Sequence, residues 1–406
     1  MNLKQKMFLN TVGTVVLLFA QWLISVLIVR MGGYDDAGTF SLAMSVSNIF
    51  AFLANYGIRN YQVADSRNRF TQQQYLWARL ITCTLSFLTA SIYLTIGRYT
   101  AEEKGAIFMY LVYSNVNVIS DTMQGTLQVH NKLECSGYSN MMRGVCCFIG
   151  FIGVYALSTN LIASLTAMVF SSLGVTMAYD LPRYFNYEKL RGKWIAGKEG
   201  QILKDCFPLM IANVLPIVIT AFPRILINQK LGSTELGYFS SIFTPTVLIT
   251  TLVPTAVLSV IPRMAEFWSK GERKLFGQLC VALYIGTIFC GVVALLGAAL
   301  CGKTILVLLF GQEIAPYSPL LCVAIATTVL NAFISCGNAV LLVMGERKTI
   351  MKAALIGLVV ILLLTNALID TYAVYGAAYA LIFAYGVEVL WQFKGIVLQR
   401  KNIIRE

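Results

Sequence analysis

Charge is scarce in this chain. Of 406 residues only 12% are Asp, Glu, Lys or Arg, against about 25% in a soluble globular protein. So little charge excludes a fully water-covered surface. The 57% hydrophobic content and mean hydropathy of +0.71 agree. Histidine is nearly missing. His130 stands alone, and one imidazole cannot build a multi-histidine metal site. Ten cysteines are present, but no C-x-x-C spacing. Most lie in apolar runs, the adjacent Cys146 and Cys147 included, where a thiol serves as a small apolar filler. No D-x-D spacing occurs either. Asp35 and Asp36 are neighbours in a glycine-rich stretch and read as a solvated turn. The chain is therefore expected to carry no metal, no cofactor and no catalytic centre.

What is abundant is long apolar sequence. FLNTVGTVVLLFAQWLISVLIV, LFGQLCVALYIGTIFCGVVALLGAAL and IMKAALIGLVVILLLTNALI each reach the roughly 20 residues that cross about 30 Å of hydrocarbon. There the backbone must satisfy its own hydrogen bonds, so the runs are helices. Twelve are expected, near 8–29, 38–62, 76–96, 105–129, 140–158, 161–180, 204–228, 237–262, 276–301, 315–342, 350–369 and 373–398. The fold class is an all-α polytopic membrane protein. The first run is too long for a signal-peptide core and lacks a small-residue cleavage site, so it reads as retained.

Basic residues orient the chain. With the N-terminus inside, 23 of the 31 Lys and Arg fall on cytoplasmic segments, five outside and three (Arg59, Arg79, Arg224) within helices. That bias fits twelve spans with both termini in the cytoplasm. The net charge of +12 is then topological, and a nucleic-acid partner, which needs a soluble basic face, is not expected.

The chain repeats itself. VRMGGYDDAGTFS (29–41) and NQKLGSTELGYFS (228–240) superpose at a shift of 199, with Gly33 on Gly232, Asp36 on Glu235 and Gly38 on Gly237. Polar residues follow the same register, and inside a membrane such residues face a bundle interior or a wet cavity. Asn10, Thr14, Gln21 and Ser25 form one helical stripe. At the same shift Asn213, Thr220 and Arg224 coincide with the last three, and Asn228 extends the stripe. Ser41, Ser45, Asn48, Asn55 and Arg59 share one face of the second helix. Asn117, Asp121, Gln124 and Gln128 share one face of the fourth, and a shift of 214 carries the first three onto Asn331, Ser335 and Asn338. Two parallel six-helix repeats are expected, 1–180 and 201–406, joined by a cytoplasmic linker at 181–200. Each stripe alone could be interhelical glue; their recurrence favours a shared central cavity.

Six of the nine prolines, Pro208, Pro216, Pro223, Pro245, Pro254 and Pro262, lie in the seventh and eighth helices. Each removes a backbone hydrogen bond. Pro216, Pro223 and Pro254 are candidate hinges, with static kinks as the alternative. Arg59 and Arg79 lie near cytoplasmic helix ends, where snorkelling would explain them. Arg224, on the seventh-helix stripe, either snorkels outward or presents a planar donor fork suited to phosphate. Asp121 is either an ion-coupling carboxylate or a partner for an arginine such as Arg59. Glu388 either pairs with Lys394 or titrates.

At this point the residues resemble a known family. MGGYDDAGTFS in the first loop, NYGIRNYQVADSRNRF (55–70), MGERKTIMKAALIGL (344–358) and YGAAYA (375–380) are similar to the polysaccharide transporters of the multidrug/oligosaccharidyl-lipid/polysaccharide exporter superfamily. The resemblance implies a flippase moving an undecaprenyl-diphosphate-linked oligosaccharide across the cytoplasmic membrane for O-antigen or capsule assembly. Its partners would be that substrate, membrane lipid, a polysaccharide polymerase and other assembly proteins. A multidrug exporter of the same superfamily is the alternative reading, and a membrane polymerase or glycosyltransferase a more distant one. The family brings no invariant motif for the site. The cavity candidates are therefore Arg224, Arg59, Asn213, Thr220, Asn228, Gln21, Ser25, Asn48, Asn55, Asn117, Gln124, Asn331 and Asn338, with Asp121 and Glu388 for ion coupling.

Overall fold

Fourteen helices follow from these runs in the computed structural model, which describes residues 2–65, 69–187 and 198–405. They are α1 (Leu3–Asn55), α2 (Ile58–Ala64), α3 (Gln72–Ile96), α4 (Ala101–Val129), α5 (Leu133–Ser158), α6 (Leu161–Val175), α7 (Leu181–Tyr187), α8 (Lys198–Leu231), α9 (Ser233–Phe243), α10 (Val247–Ser269), α11 (Arg273–Phe310), α12 (Leu320–Val343), α13 (Arg347–Tyr372) and α14 (Val374–Arg405). A π-helical turn, Thr176–Asp180, continues α6 into α7. No strand occurs among the described residues. Starts follow local chemistry. Thr71 and Gln74 cap α3 reciprocally (3.3 and 2.9 Å), and Thr100 and Glu103 cap α4 in the same way (3.2 and 2.7 Å).

The first two expected helices form one element, Lys4–Ala64, of 61 residues. Straight, it would measure about 90 Å, three times the hydrocarbon thickness. Gly33 breaks it, at φ 86° and ψ −172°. Its repeat counterpart Gly232 has nearly the same conformation, φ 94° and ψ 172°, between α8 and α9. Only glycine adopts this region without strain, so the repeat preserves a backbone corner as well as letters. Asp36, expected as a solvated turn residue, is in helix beyond that corner and accepts a hydrogen bond from Tyr155 Oη. It is a tie between α1 and α5.

Nine helices among the described residues are long and apolar enough to cross a membrane, ten with the bent pair Ser233–Thr246 and Ile249–Ser269 taken as one span. The chain is a multi-pass, all-α membrane protein. The tally differs from twelve for two reasons. Lys4–Ala64 holds two arms, and α4 is not apolar enough because Asn115, Asn117, Asp121, Gln124 and Gln128 interrupt it.

The chain divides into two compact units, Met1–Ile217 and Val218–Glu406, with the division inside α8. In the first, α1 and α5 meet backbone to backbone. A Cβ on Gly13 would lie 2.1 Å from the Gly137 carbonyl oxygen, and one on Gly144 would lie 2.9 Å from Leu17 Cα. Small residues permit this approach where hydrophobic collapse gives helices no preference over lipid. The first part of α8 belongs here too. Ile202 and Cys206 pack with Ile58, Phe70, Tyr75 and Ala78, and Asp205 accepts from Tyr61 Oη at 2.8 Å and pairs with Arg69 at 3.6 Å. Of the expected linker, 181–187 form α7 and 198–200 start α8, while 188–197 lie outside the described residues. In the second unit Val253, Val257, Ala332, Cys336 and Ala339 form a core between α10 and α12. The apolar side chains of α11 stay largely exposed, Phe289 and Leu300 among them, as suits a face against lipid tails.

The prolines lie both inside helices and at a bend. Helix α8 runs unbroken through Pro208, Pro216 and Pro223, and α10 through Pro254 and Pro262. A bend of 59° separates Ser233–Thr246 from Ile249–Ser269, just after the 3-10 turn Thr244–Thr246 that holds Pro245.

Candidate substrate cavity

Within the second unit, α8, α9, α10, α12 and α14 enclose a cavity of about 160 Å³. Thr220, Arg224, Thr246, Thr250, Thr327, Thr328, Asn331 and Tyr385 provide its polar wall, and Phe239, Phe243, Val247 and Leu381 the rest. Three of the sequence candidates, Thr220, Arg224 and Asn331, are thus brought together. Arg224 is the one charged residue in the lining, and it forms no salt bridge among the described residues. It faces the cavity beside Tyr385 and does not snorkel outward.

The threonines are set in a definite way. Thr246, Thr250, Thr327 and Thr328 donate their hydroxyl hydrogens to carbonyls of their own helices at 2.7, 2.9, 2.8 and 2.7 Å. A hydroxyl has one hydrogen and two lone pairs, so these side chains retain acceptor capacity. Donors come from the Arg224 fork, the Asn331 amide and the Tyr385 hydroxyl. A site with one cationic fork and a rim of acceptors suits an oxyanion attached to a polyhydroxyl group.

Other candidates of this unit lie elsewhere. Asn228 is buried beside the Gly232 corner, where its carbonyl accepts from Gly232 N at 3.1 Å. Asn338 accepts from Gln392 Nε2 at 2.9 Å, joining α12 to α14. Glu388 is 4% exposed and forms no salt bridge among the described residues. The expected Lys394 partner instead lies 5.0 Å over the Trp391 ring. Asn213 falls in the part of α8 that belongs to the first unit.

In the first unit the α4 stripe splits among three partners. Asn117 accepts from Ser172 Oγ at 2.8 Å, and Gln21 donates to Tyr113 Oη at 3.2 Å. Gln124 is 2% exposed and spends its amide hydrogens on Ser120 (3.3 Å), Ser139 (3.2 Å) and Asn140 (3.2 Å), so it ties α4 to α5. Asp121 takes Arg59 Nη1, whose Nη2 donates to Gln128 Oε1 at 3.1 Å. Arg59 is the arginine named from the sequence as a possible partner of Asp121. Ser25 bonds back to the Gln21 carbonyl at 3.1 Å, and Asn48 and Asn55 are half-buried on the second arm of α1.

Two arginines behave differently from expectation. Arg79 does not snorkel. It is wholly buried, donates from Nε to Thr122 Oγ1 at 2.5 Å and from Nη1 to the Ala54 carbonyl at 2.7 Å and to the Asn55 carbonyl. It thereby satisfies the orphan carbonyls where α1 ends. Arg143, counted among the cytoplasmic charges, is buried and paired with Asp180 at 2.8 Å, with side-chain exposures of 3% and 0%. Its Nη2 also reaches Ser120 (2.7 Å) and Thr176 (3.1 Å). The sequence signal was there: MMRGVCCF sets one charge inside an apolar run.

A family model described as polysaccharide biosynthesis protein matches residues 3–268. The chain belongs to the polysaccharide biosynthesis protein family. Among curated relatives, the capsular polysaccharide biosynthesis protein CapF of Staphylococcus aureus is 25% identical over 376 residues, 90% of this chain and 92% of its own length. Among solved structures, the lipid II flippase MurJ in its inward closed conformation matches with a TM-score of 0.72 at 13% identity, over 97% of this chain and 87% of that one. An inward-facing multidrug resistance MATE family transporter of the MOP superfamily matches with a TM-score of 0.69 at 14% identity, over 97% and 95%. The family member therefore has the fold shared by MurJ and the MATE transporters.

Proposed function

We propose that this polysaccharide biosynthesis family member is a flippase, moving a polyprenyl-diphosphate-linked oligosaccharide repeat unit from the inner to the outer leaflet of the cytoplasmic membrane. The observation that carries the reading is Arg224, a cation without a salt-bridge partner in a threonine-lined cavity. A diphosphate and its sugars lose water without compensation in hydrocarbon. In this reading Arg224 holds the diphosphate, Asn331 and the threonines take the proximal sugar, and the polyprenyl tail stays in lipid. The two repeats alternate access, both termini lie in the cytoplasm, and the product passes to a polymerase for capsule or O-antigen assembly. The likeness to CapF, a capsular polysaccharide biosynthesis protein, favours the capsule. Glu388, buried without a salt bridge, is the ion-coupling candidate; Asp121 is engaged by Arg59.

The test uses purified protein in liposomes with a short-chain fluorescent polyprenyl-diphosphate oligosaccharide, and cationic dye export run in parallel. Movement of the saccharide lipid, lost in Arg224→Ala at unchanged expression, supports the reading. Dye export without saccharide-lipid movement would replace it with a drug exporter.

A further inference from the structure

The first unit holds two arginine–carboxylate pairs inside its helices, and they differ in one respect. Arg143–Asp180 is sealed, at 3% and 0% side-chain exposure, whereas Arg59–Asp121 stays open, at 25% and 27%. Sealed pairs are permanent, because parting them strands a charge in a dry medium. A pair that water reaches exchanges partners at small cost.

The open pair is also unbalanced. Arg79 lies directly behind it, bonded to Thr122, the neighbour of Asp121, and feels the charges of both Asp121 and Arg59. Arg79 is wholly buried, and its Nη2 has no hydrogen-bond partner. Asp121 thus touches Arg59 alone while its charge is felt by both guanidinium groups, and one buried donor of Arg79 is unspent. The surroundings offer donors and amides: Gln128 bonds Arg59, and Gln62 bonds Gln72 and Thr126. Gly125 keeps the wall thin, since a Cβ there would lie 2.4 Å from Gln62 Oε1 and 3.3 Å from Arg59 Cγ.

We infer that Arg59 and Arg79 form a second oxyanion site, held by Asp121 until an anionic group displaces it. The ligand class is a diphosphate, which offers acceptors to both Arg59 and the spare Arg79 donor where the single carboxylate satisfies Arg59 alone. Asp121 is a built-in competitor. It keeps Arg59 neutralised when no substrate is present and reclaims it when the anion leaves, so it sets affinity and release. This rests on the flippase reading for the identity of the natural ligand, but the anion site itself stands on the geometry.

The experiment isolates this site. In an Arg224→Ala background, inorganic pyrophosphate binding to the purified full chain is measured by calorimetry, with glucuronate as competitor. Asp121→Asn is expected to tighten pyrophosphate binding at least tenfold, and Arg59→Ala added to it to abolish the gain. Asp121→Ser serves if the amide variant folds poorly. Unchanged affinity in both Asp121 variants overturns the proposal, as does a gain that survives Arg59→Ala. Competition by glucuronate as strong as by pyrophosphate would replace the diphosphate by an acidic sugar as the ligand. Failure of saccharide-lipid movement in wild-type liposomes refutes the flippase reading and leaves the calorimetric result standing.

Discussion

Asp180→Ala tests whether the sealed pair is structural. The carboxylate is wholly buried, and it faces Arg143 Nη2 at 2.8 Å, with Ser120 and Thr176 as the other acceptors on that nitrogen among the described residues. Removing it leaves a guanidinium with two neutral hydroxyls in a site that water does not reach. Breaking a buried pair from one side costs about 3–5 kcal/mol. The open Arg59–Asp121 pair gives the scale for comparison, since Asp121→Ala removes a carboxylate 27% exposed and should cost roughly 1 kcal/mol or less. Replacing both partners of the sealed pair, as Arg143→Met with Asp180→Leu, should recover most of the loss, because neither charge remains to be desolvated. Denaturant titration in detergent, followed by tryptophan fluorescence, reads all three variants. If Asp180→Ala is no more destabilising than Asp121→Ala, the argument from burial is wrong for this protein.

Gly33→Ala forces a side chain onto a backbone at φ 86°, and should lower stability by about 1–3 kcal/mol, read by the same titration; Gly232→Ala should match it if the repeat corner matters equally in both units. Gly13→Val should separate α1 from α5 and abolish folded expression, because the Gly137 carbonyl lies 2.1 Å from the added Cβ; normal size-exclusion behaviour would refute that packing. Between α2 and α3, burial opposes ionisation of Asp65, but hydrogen bonds from Arg69 N (3.2 Å), Tyr75 Oη (2.9 Å) and Phe70 N (3.2 Å) outweigh it and hold the carboxyl below the usual range. A lowered folded value contributes stability above the unfolded value of about 3.9 that is lost as pH falls through the folded one. Acid titration of Asp65→Asn should therefore lack that loss below about pH 4. Glu388→Gln should flatten the pH dependence of saccharide-lipid movement, and an unchanged profile would remove Glu388 as the coupling group.

Some of this was legible in the sequence because symmetry and periodicity are local. The 199-residue shift aligned Gly33 with Gly232, and both proved to be the same backbone corner. The α8 stripe brought Thr220 and Arg224 to one cavity, with Asn331 reaching it from α12. Periodicity names a face, not what that face meets. The α4 stripe was real, yet Asn117, Asp121 and Gln124 found three different partners. Arg143 was missed because α5 starts at Leu133, well before the apolar run that marked it. That places the arginine more than two turns inside the helix instead of within a turn of its expected cytoplasmic start near residue 140. Asp180 could not be paired from sequence either, since the π turn that carries it leaves no mark in letters.

Under the proposed flippase reading, the threonine hydroxyls of the cavity have a consequence for which glycans it would accept. With their hydrogens committed to backbone carbonyls, the rotors are fixed, and the wall proposed to face the proximal sugar reads mainly as a row of lone pairs. A sugar is then recognised by the hydrogens it brings. O-methylation or O-acetylation of its hydroxyls next to the diphosphate removes those hydrogens, and the threonines cannot turn to compensate without breaking their helix bonds. Decoration of the repeat unit near its lipid end would then be disfavoured before transport, and such groups would be added at sugars farther along the chain or after the unit has crossed.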